Sequence, residues 1–181
     1  MKIQKLIRIF LNRFLLLNFL VLIVFVFISW QKNQCNGYDD INKLCKNFVI
    51  KLKSSNKELE EYCYDINPDS CSVEYMKKLN YSYRGIPDGL IKHNIDVNLL
   101  GKDYYEKILK FKQELIIDKK LDDLEFIRRS SGEIFARLPR NIEATSGRIW
   151  MKSGNDTIHF NLGEMLKING KWKTFTEPSD R

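Results

Sequence analysis

Two histidines, four prolines and nine glycines are all that this 181-residue sequence holds of those residue types, and cysteine is missing from residue 72 onward. No C-x-x-C, G-x-S-x-G or H-E-x-x-H motif occurs, and no glycine-rich phosphate loop. The spacings that build paired-cysteine zinc sites, hydrolase elbows, zinc proteases and nucleotide cradles are therefore excluded. Scarce Gly and Pro beside 44% apolar and 12% aromatic residues exclude a disordered, collagen-like or low-complexity chain. The length allows one ordinary domain with an appendage and excludes a multidomain enzyme. Acidic residues are absent before Asp39, and that absence decides how the charge is read.

The formal charge is +7 at pH 7, a balance that raises nucleic acid or a membrane surface as partner. Residues 1–33 carry five basic side chains (Lys2, Lys5, Arg8, Arg13, Lys32) and no acid, so residues 34–181 hold 25 basic against 23 acidic ones. That remainder has no concentration of Lys and Arg with interleaved aromatics, so nucleic acid is not expected as a partner. Between the basic residues runs IFLNRFLLLNFLVLIVFVFISW, from Ile9 to Trp30. As a helix it spans roughly 33 Å, against a hydrocarbon core of ~30 Å. The positive-inside bias places residues 1–8 in the cytoplasm as a basic tail, residues 9–30 across the inner (plasma) membrane as an uncleaved single-pass signal-anchor, and residues 31–181 outside, in the periplasm. The alternative is a cleaved signal and a secreted product; its cleavage pattern is poor, with Phe27 two positions before Ser29.

All four cysteines, Cys35, Cys45, Cys63 and Cys71, follow directly on this segment. An even count in an exported chain reads as a disulfide framework with three connectivities open. Asp39-Asp40 precedes apolar residues at helical spacing (Ile41, Leu44, Cys45, Phe48, Val49, Leu52), and Ser55 with Glu58 forms a capping box for a second helix bearing Leu59, Tyr62, Cys63 and Ile66. Asn67-Pro68 ends it. The cysteines are nearly symmetric about the turn near residue 54, so nested bridges are expected, Cys45 to Cys63 and Cys35 to Cys71. The C-x9-C arm is similar to the twin-cysteine helical hairpins of mitochondrial intermembrane-space proteins, although the second arm is C-x7-C, a likeness of shared physics rather than kinship.

Residues 31–100 thus read as a cysteine-containing hairpin and loop, with a short helix capped by Ser72, and residues 101–181 as helix plus sheet, together one exported domain. Gly101 to Ile117 patterns as an amphipathic helix and Leu121 to Arg129 as a further helical piece. Beyond Gly132 the period changes to two: Ile134, Ala136 and Leu138; Ile149 and Met151 about Trp150; Ile158, Phe160 and Leu162. Hairpin turns are expected at Ser153-Gly154-Asn155-Asp156 and at Ile168-Asn169-Gly170-Lys171, the second as a three-residue loop pairing Leu166 with Trp172. The fold class is α+β, with a transmembrane helix, a stapled helical hairpin and helices packed on a C-terminal antiparallel meander. The ending MLKINGKWKTF, Met165 to Phe175, resembles the last hairpin of the cystatin-like, nuclear-transport-factor-2-like superfamily over residues 133–176. That resemblance implies a curved sheet with a concave face, in a superfamily holding both enzymes and binding modules.

His93 lies in a loop, and His159 alternates with Ile158 and Phe160, so its side chain should face away from them. Carboxylate pairs such as Asp39-Asp40, Glu60-Glu61 and Asp122-Asp123 sit at helix starts or solvated faces. No catalytic residue, metal ligand or cofactor is expected. Trp150, His159, Trp172, Tyr81 and Tyr83 are the candidate recognition residues, with both tryptophans also candidates to fill the core. Richness in Ile, Lys and Asn is that of an AT-rich bacterial genome. The expected function is a membrane-anchored, non-enzymatic protein-binding domain of the bacterial envelope, of accessory, inhibitor or immunity type, with another envelope protein as partner and an open oligomeric state. The alternatives are a small-ligand-binding or hydrolytic cystatin-like domain with His159 as base, or a structural subunit of an envelope-spanning complex.

Overall fold

A computed structural model describes residues 35–93, 95–130 and 142–179, the backbone of 135–137, and Asn18, Phe19 and Val21. The expected anchor, residues 9–30, and the basic tail lie outside the described residues apart from Asn18, Phe19 and Val21, which are helical and exposed. Among the described residues no helix is long and apolar enough to cross a membrane. The chain divides into two units, Met1–Gln34 and Cys35–Arg181, and the second contains the helices and the sheet of the folded domain.

Local signals build the hairpin as expected. The Asp40 side chain accepts from the Asn42 and Lys43 amides and opens helix α1, Ile41–Leu52. Ser55 and Glu58 close a reciprocal capping box on α2, Asn56–Ile66, which satisfies two otherwise orphaned amides. Their apolar stripes are buried together. Asn67 ends α2, its side-chain amide donating to the Cys63 carbonyl at 2.8 Å. Helix α3, Ser70–Lys78, is capped by Asp69 and not by Ser72; Ser72 instead donates both its amide and its hydroxyl to Asp69 Oδ1, at 2.7 and 2.6 Å.

The outer bridge is present: Cys35 and Cys71 are joined, with Cα atoms 5.2 Å apart. The inner one is not, for Cys45 and Cys63 are free, buried thiols. Symmetry about a turn gives two residues the same height along antiparallel helices, but it does not set their rotation about the helix axes. Both thiols instead lie in the core that the hairpin shares with the sheet and the next long helix. Burial pushes the Cys45 thiol up to about 12 and raises that of Cys63 as well, so neither is primed as a nucleophile.

Between α3 and the sheet the chain is more regular than its sequence suggests. A turn at residues 83–86 leads to the short α4, Asp88–Lys92, and then to α5, Val97–Ile117, capped by Asp96. With Asp96 as its cap the helix starts before Gly101, and that glycine is a close-approach point within it: a Cβ there would overlap the Tyr64 ring of α2. The segment expected to continue helically to Arg129 is instead strand β1, Glu125–Arg129. Its apolar residues also satisfy a strand, and pairing with β3 prevails over local pattern.

Strands β2 (Phe135–Arg137), β3 (Ile142–Ser153), β4 (Asp156–Ile168) and β5 (Lys171–Thr174) complete an antiparallel sheet of order β1-β3-β4-β5, with β2 beside β3. Ile134 and Leu138 lie outside the described residues. Ser153 pairs with Asp156 across the first turn, as expected. The second turn differs from expectation: Ile168 pairs with Lys171 and Lys167 with Trp172, leaving a two-residue Asn169-Gly170 loop. Both loop residues have positive φ, 49° and 79°, the combination whose twist matches paired strands. Gly163, at φ 99°, changes the face that the following residues of β4 take. It is a bulge position, so that Leu162 and Met165 both enter the helix-covered core despite their odd separation.

One sheet face therefore carries Ile149, Met151, Phe160, Leu162, Met165 and Trp172 against α1, α2 and α5. The reverse face is covered at one end, where Ile142, Ala144, Leu166, Ile168 and Phe175 pack on Met76, Tyr81, Ile86 and Leu90. Also on the reverse side of β5, Lys173 is fully buried, its Nζ 3.0 Å from Asp69 Oδ2 and 2.8 Å from the Asp65 carbonyl. Burial holds this ammonium below its ordinary value while Asp69 pushes it back up. For Asp69 burial acts upward, but Lys173 and Ser72 together bring it below the usual carboxylate range.

Two measurements check these contacts. Thiol titration under non-reducing conditions should count two thiols in denaturant and none in the native protein; a count of zero in denaturant would mean that Cys45 and Cys63 are bridged. For Asp69, whose folded value is depressed, the stabilisation is complete above about pH 4 and is lost as pH falls through the depressed value. Asp69→Asn should therefore cost about 3–5 kcal/mol at pH 7 by stranding Lys173. In urea unfolding, the gap to the parent should narrow once the pH drops below the carboxylate range.

Candidate functional site

Because side chains alternate along a strand, the residues between the core positions of β3 and β4 face away from α1, α2 and α5. At the end of the sheet bounded by β1, no helix or loop among the described residues covers that side. Three residues line up across it: Arg128 is paired with Trp150, and Trp150 with His159. The Trp150 and His159 rings meet edge-on with centroids 3.7 Å apart, and the Arg128 guanidinium lies 5.1 Å from the Trp150 centroid. Arg128 and His159 are exposed and Trp150 half-buried. The pairing of Arg128 depends on an irregularity in β1: Phe126 faces Met151, then Ile127 is skipped, and Arg128 takes the place opposite Trp150. Ile127 is left 47% exposed.

On β3 the neighbours two positions either side of Trp150 are Arg148 and Lys152, both exposed. Glu125, opposite Lys152, is the one acid paired into this part of the face among the described residues. The row is an aromatic centre with a cation above it and two more beside it. Chemically it can offer a stacking surface and charge-assisted donors to an anionic or carboxylate-bearing group.

The other candidate residues are elsewhere. Trp172 is buried in the core, in keeping with one of its two expected roles, with its backbone amide donating to the Tyr38 carbonyl at 2.8 Å. Trp150, the other candidate to fill the core, does not enter it. Tyr81 is buried in the smaller cluster. Tyr83 is half-buried; its hydroxyl donates to Glu164, Arg84 donates to the same carboxylate oxygen at 3.0 Å, and its ring sits edge-on to Phe175. Those contacts latch the 81–87 loop to β4. Nothing in the sequence joins Arg84 to Glu164, because 80 positions separate them. Arg128 is hidden for a different reason: its segment reads as helix, and no periodicity announces a bulge.

A cleft of about 160 Å³ lies between α5 and the tail after β5, lined by Asn67, Pro68, Leu100, Lys107, Phe175 and Glu177 among others. Lys107 and Glu177 are ion-paired at its edge, and neither histidine lines it. Cys35, Asp69 and Cys71 present ligand-type atoms within 4.8 Å of one another. Both sulfurs are spent in the bridge and Asp69 holds Lys173, so the group is occupied as a staple.

The two strand tryptophans should separate in mutation. Trp172→Ala should cost about 3–5 kcal/mol of unfolding free energy as a core truncation, whereas Trp150→Ala on the open face should cost under about 1 kcal/mol; equal losses in urea unfolding would place Trp150 in the core. Comparison of the chain with family models, with curated proteins and with solved structures finds no match in any of the three, so the cystatin-like resemblance rests on the residues of the last hairpin.

Proposed function

We propose that this chain is a membrane-anchored, exported binding protein of the bacterial envelope, holding a non-enzymatic α+β domain outside the inner membrane. The carrying observation is the Arg128–Trp150–His159 row on the open end of the sheet. Tryptophan and arginine are the residue types that dominate binding energy when a partner desolvates them, and here they stand together on a rigid three-stranded platform rather than on a loop. The Cys35–Cys71 bridge supports an oxidising compartment, and the basic, then apolar, N-terminal sequence supports anchoring with the N-terminus inside. His159 meets the Trp150 ring on an open face, an arrangement that suits contact better than proton abstraction in a cavity.

The test is a photo-crosslinking amino acid placed at Trp150 or at Lys152 in the living cell, with Lys46 and Lys57, exposed on α1 and α2, as controls. A discrete protein adduct at the sheet positions and not at the controls is the expected result. Adducts of equal yield at all four positions, or none at any, would remove the sheet face from the function.

A further inference from the structure

We propose that the open end of the sheet docks an acidic segment of a partner protein, an assignment that rests on the binding-protein function and names the chemistry of its partner. Charge is the first ground. Arg128, Arg148 and Lys152 are exposed around Trp150 and His159 adds a further donor, while the acids that the described strands pair into this face are Glu125 and Glu164, the latter already held by Arg84 and Tyr83. A domain with 25 basic and 23 acidic residues over 34–181 has no general excess of cations to scatter. Its local imbalance on an aromatic platform therefore selects a carboxylate-rich ligand.

The make-up of the row decides between an acidic protein and an anionic lipid surface: a half-buried tryptophan with an arginine over its ring is an anchor of protein contacts, whereas headgroup binding calls only for clustered cations. The chain enters the domain at Cys35, which is bridged to α3 and accepts a contact from the Asn169 side chain at the β4–β5 turn, 3.5 Å from its sulfur. Along β4, His159 stands nine positions from Ile168 at that turn, about 30 Å of extended strand. Within the domain, Cys35 and the basic row thus lie at opposite ends of the long hairpin.

The full-length chain in zwitterionic nanodiscs, titrated with fluorescently labelled short poly-L-glutamate, tests this. Binding should weaken with salt. It should fall by about tenfold or more in Arg128→Glu/Arg148→Glu and in Trp150→Ala, and remain at the parent level in Lys46→Glu/Lys57→Glu, which makes the same charge change elsewhere. The milder Arg128→Gln/Arg148→Gln pair should lose affinity in the same direction with its urea midpoint unchanged, which separates lost docking from lost folding. Absence of poly-L-glutamate binding, equal binding by the sheet variants, or an equal loss in the control pair would overturn the assignment. Displacement of the probe by phosphatidylglycerol vesicles or by single-stranded DNA at lower concentration would reassign the face to lipid or nucleic acid. A protein crosslink at Trp150 without poly-L-glutamate binding would leave the binding-protein function standing and refute only the acidic partner.

Discussion

A lysine ammonium with no exposed surface must have a partner, and in this fold that partner is Asp69. The requirement reaches well beyond the pair. Asp69 caps α3, and it also accepts from the Asn36 amide, so one carboxylate ties the entering chain, a helix start and the last strand together. Lys173 in turn reaches the Asp65 carbonyl in the last turn of α2. Slipping β5 by one residue would swing Lys173 to the other face and pull Trp172 out of the core. The ion pair and the Asn169-Gly170 turn thus demand the same register.

The sheet that results has two unlike halves. Where β3, β4 and β5 meet, both sides are covered, one by α1, α2 and α5 and the other by α3, α4 and their loops. Toward β1 the described residues cover only one side. Two backbone irregularities arrange this: the bulge at Gly163 returns Met165 to the core after Leu162, and the skipped Ile127 sets Arg128 over Trp150. A cation–aromatic contact on an exposed strand contributes about 0.5–1 kcal/mol, too little to explain the row as a stability device.

What can be read from the sequence follows the range of the interaction concerned. Helices α1 and α2 are legible because their caps and stripes lie within a few positions of one another, and the turn at 153–156 because Gly154 is in place for it. Strand β1 is not, since Leu121, Leu124, Phe126 and Ile127 fit either period and only β3 decides between them. The outer disulfide follows from position along the hairpin; the inner one does not form, because height on a helix says nothing of rotation about its axis. Asp69 and Lys173 lie 104 positions apart and carry no shared local pattern. At the open face, strand parity places His159 correctly, while the size of Trp150 suggests a core it does not enter.

The segment from Cys35 to Tyr38 has a mechanical meaning as well. It is bonded to Cys71 at one end, and at the other the Tyr38 carbonyl takes the Trp172 amide of β5. Tension applied to the chain ahead of Cys35 would enter the domain there and pass through a covalent link into α3. The α1–α2 hairpin begins only at Ile41, downstream of that junction. Its two buried thiols lie behind that junction, in the core that the hairpin shares with the sheet.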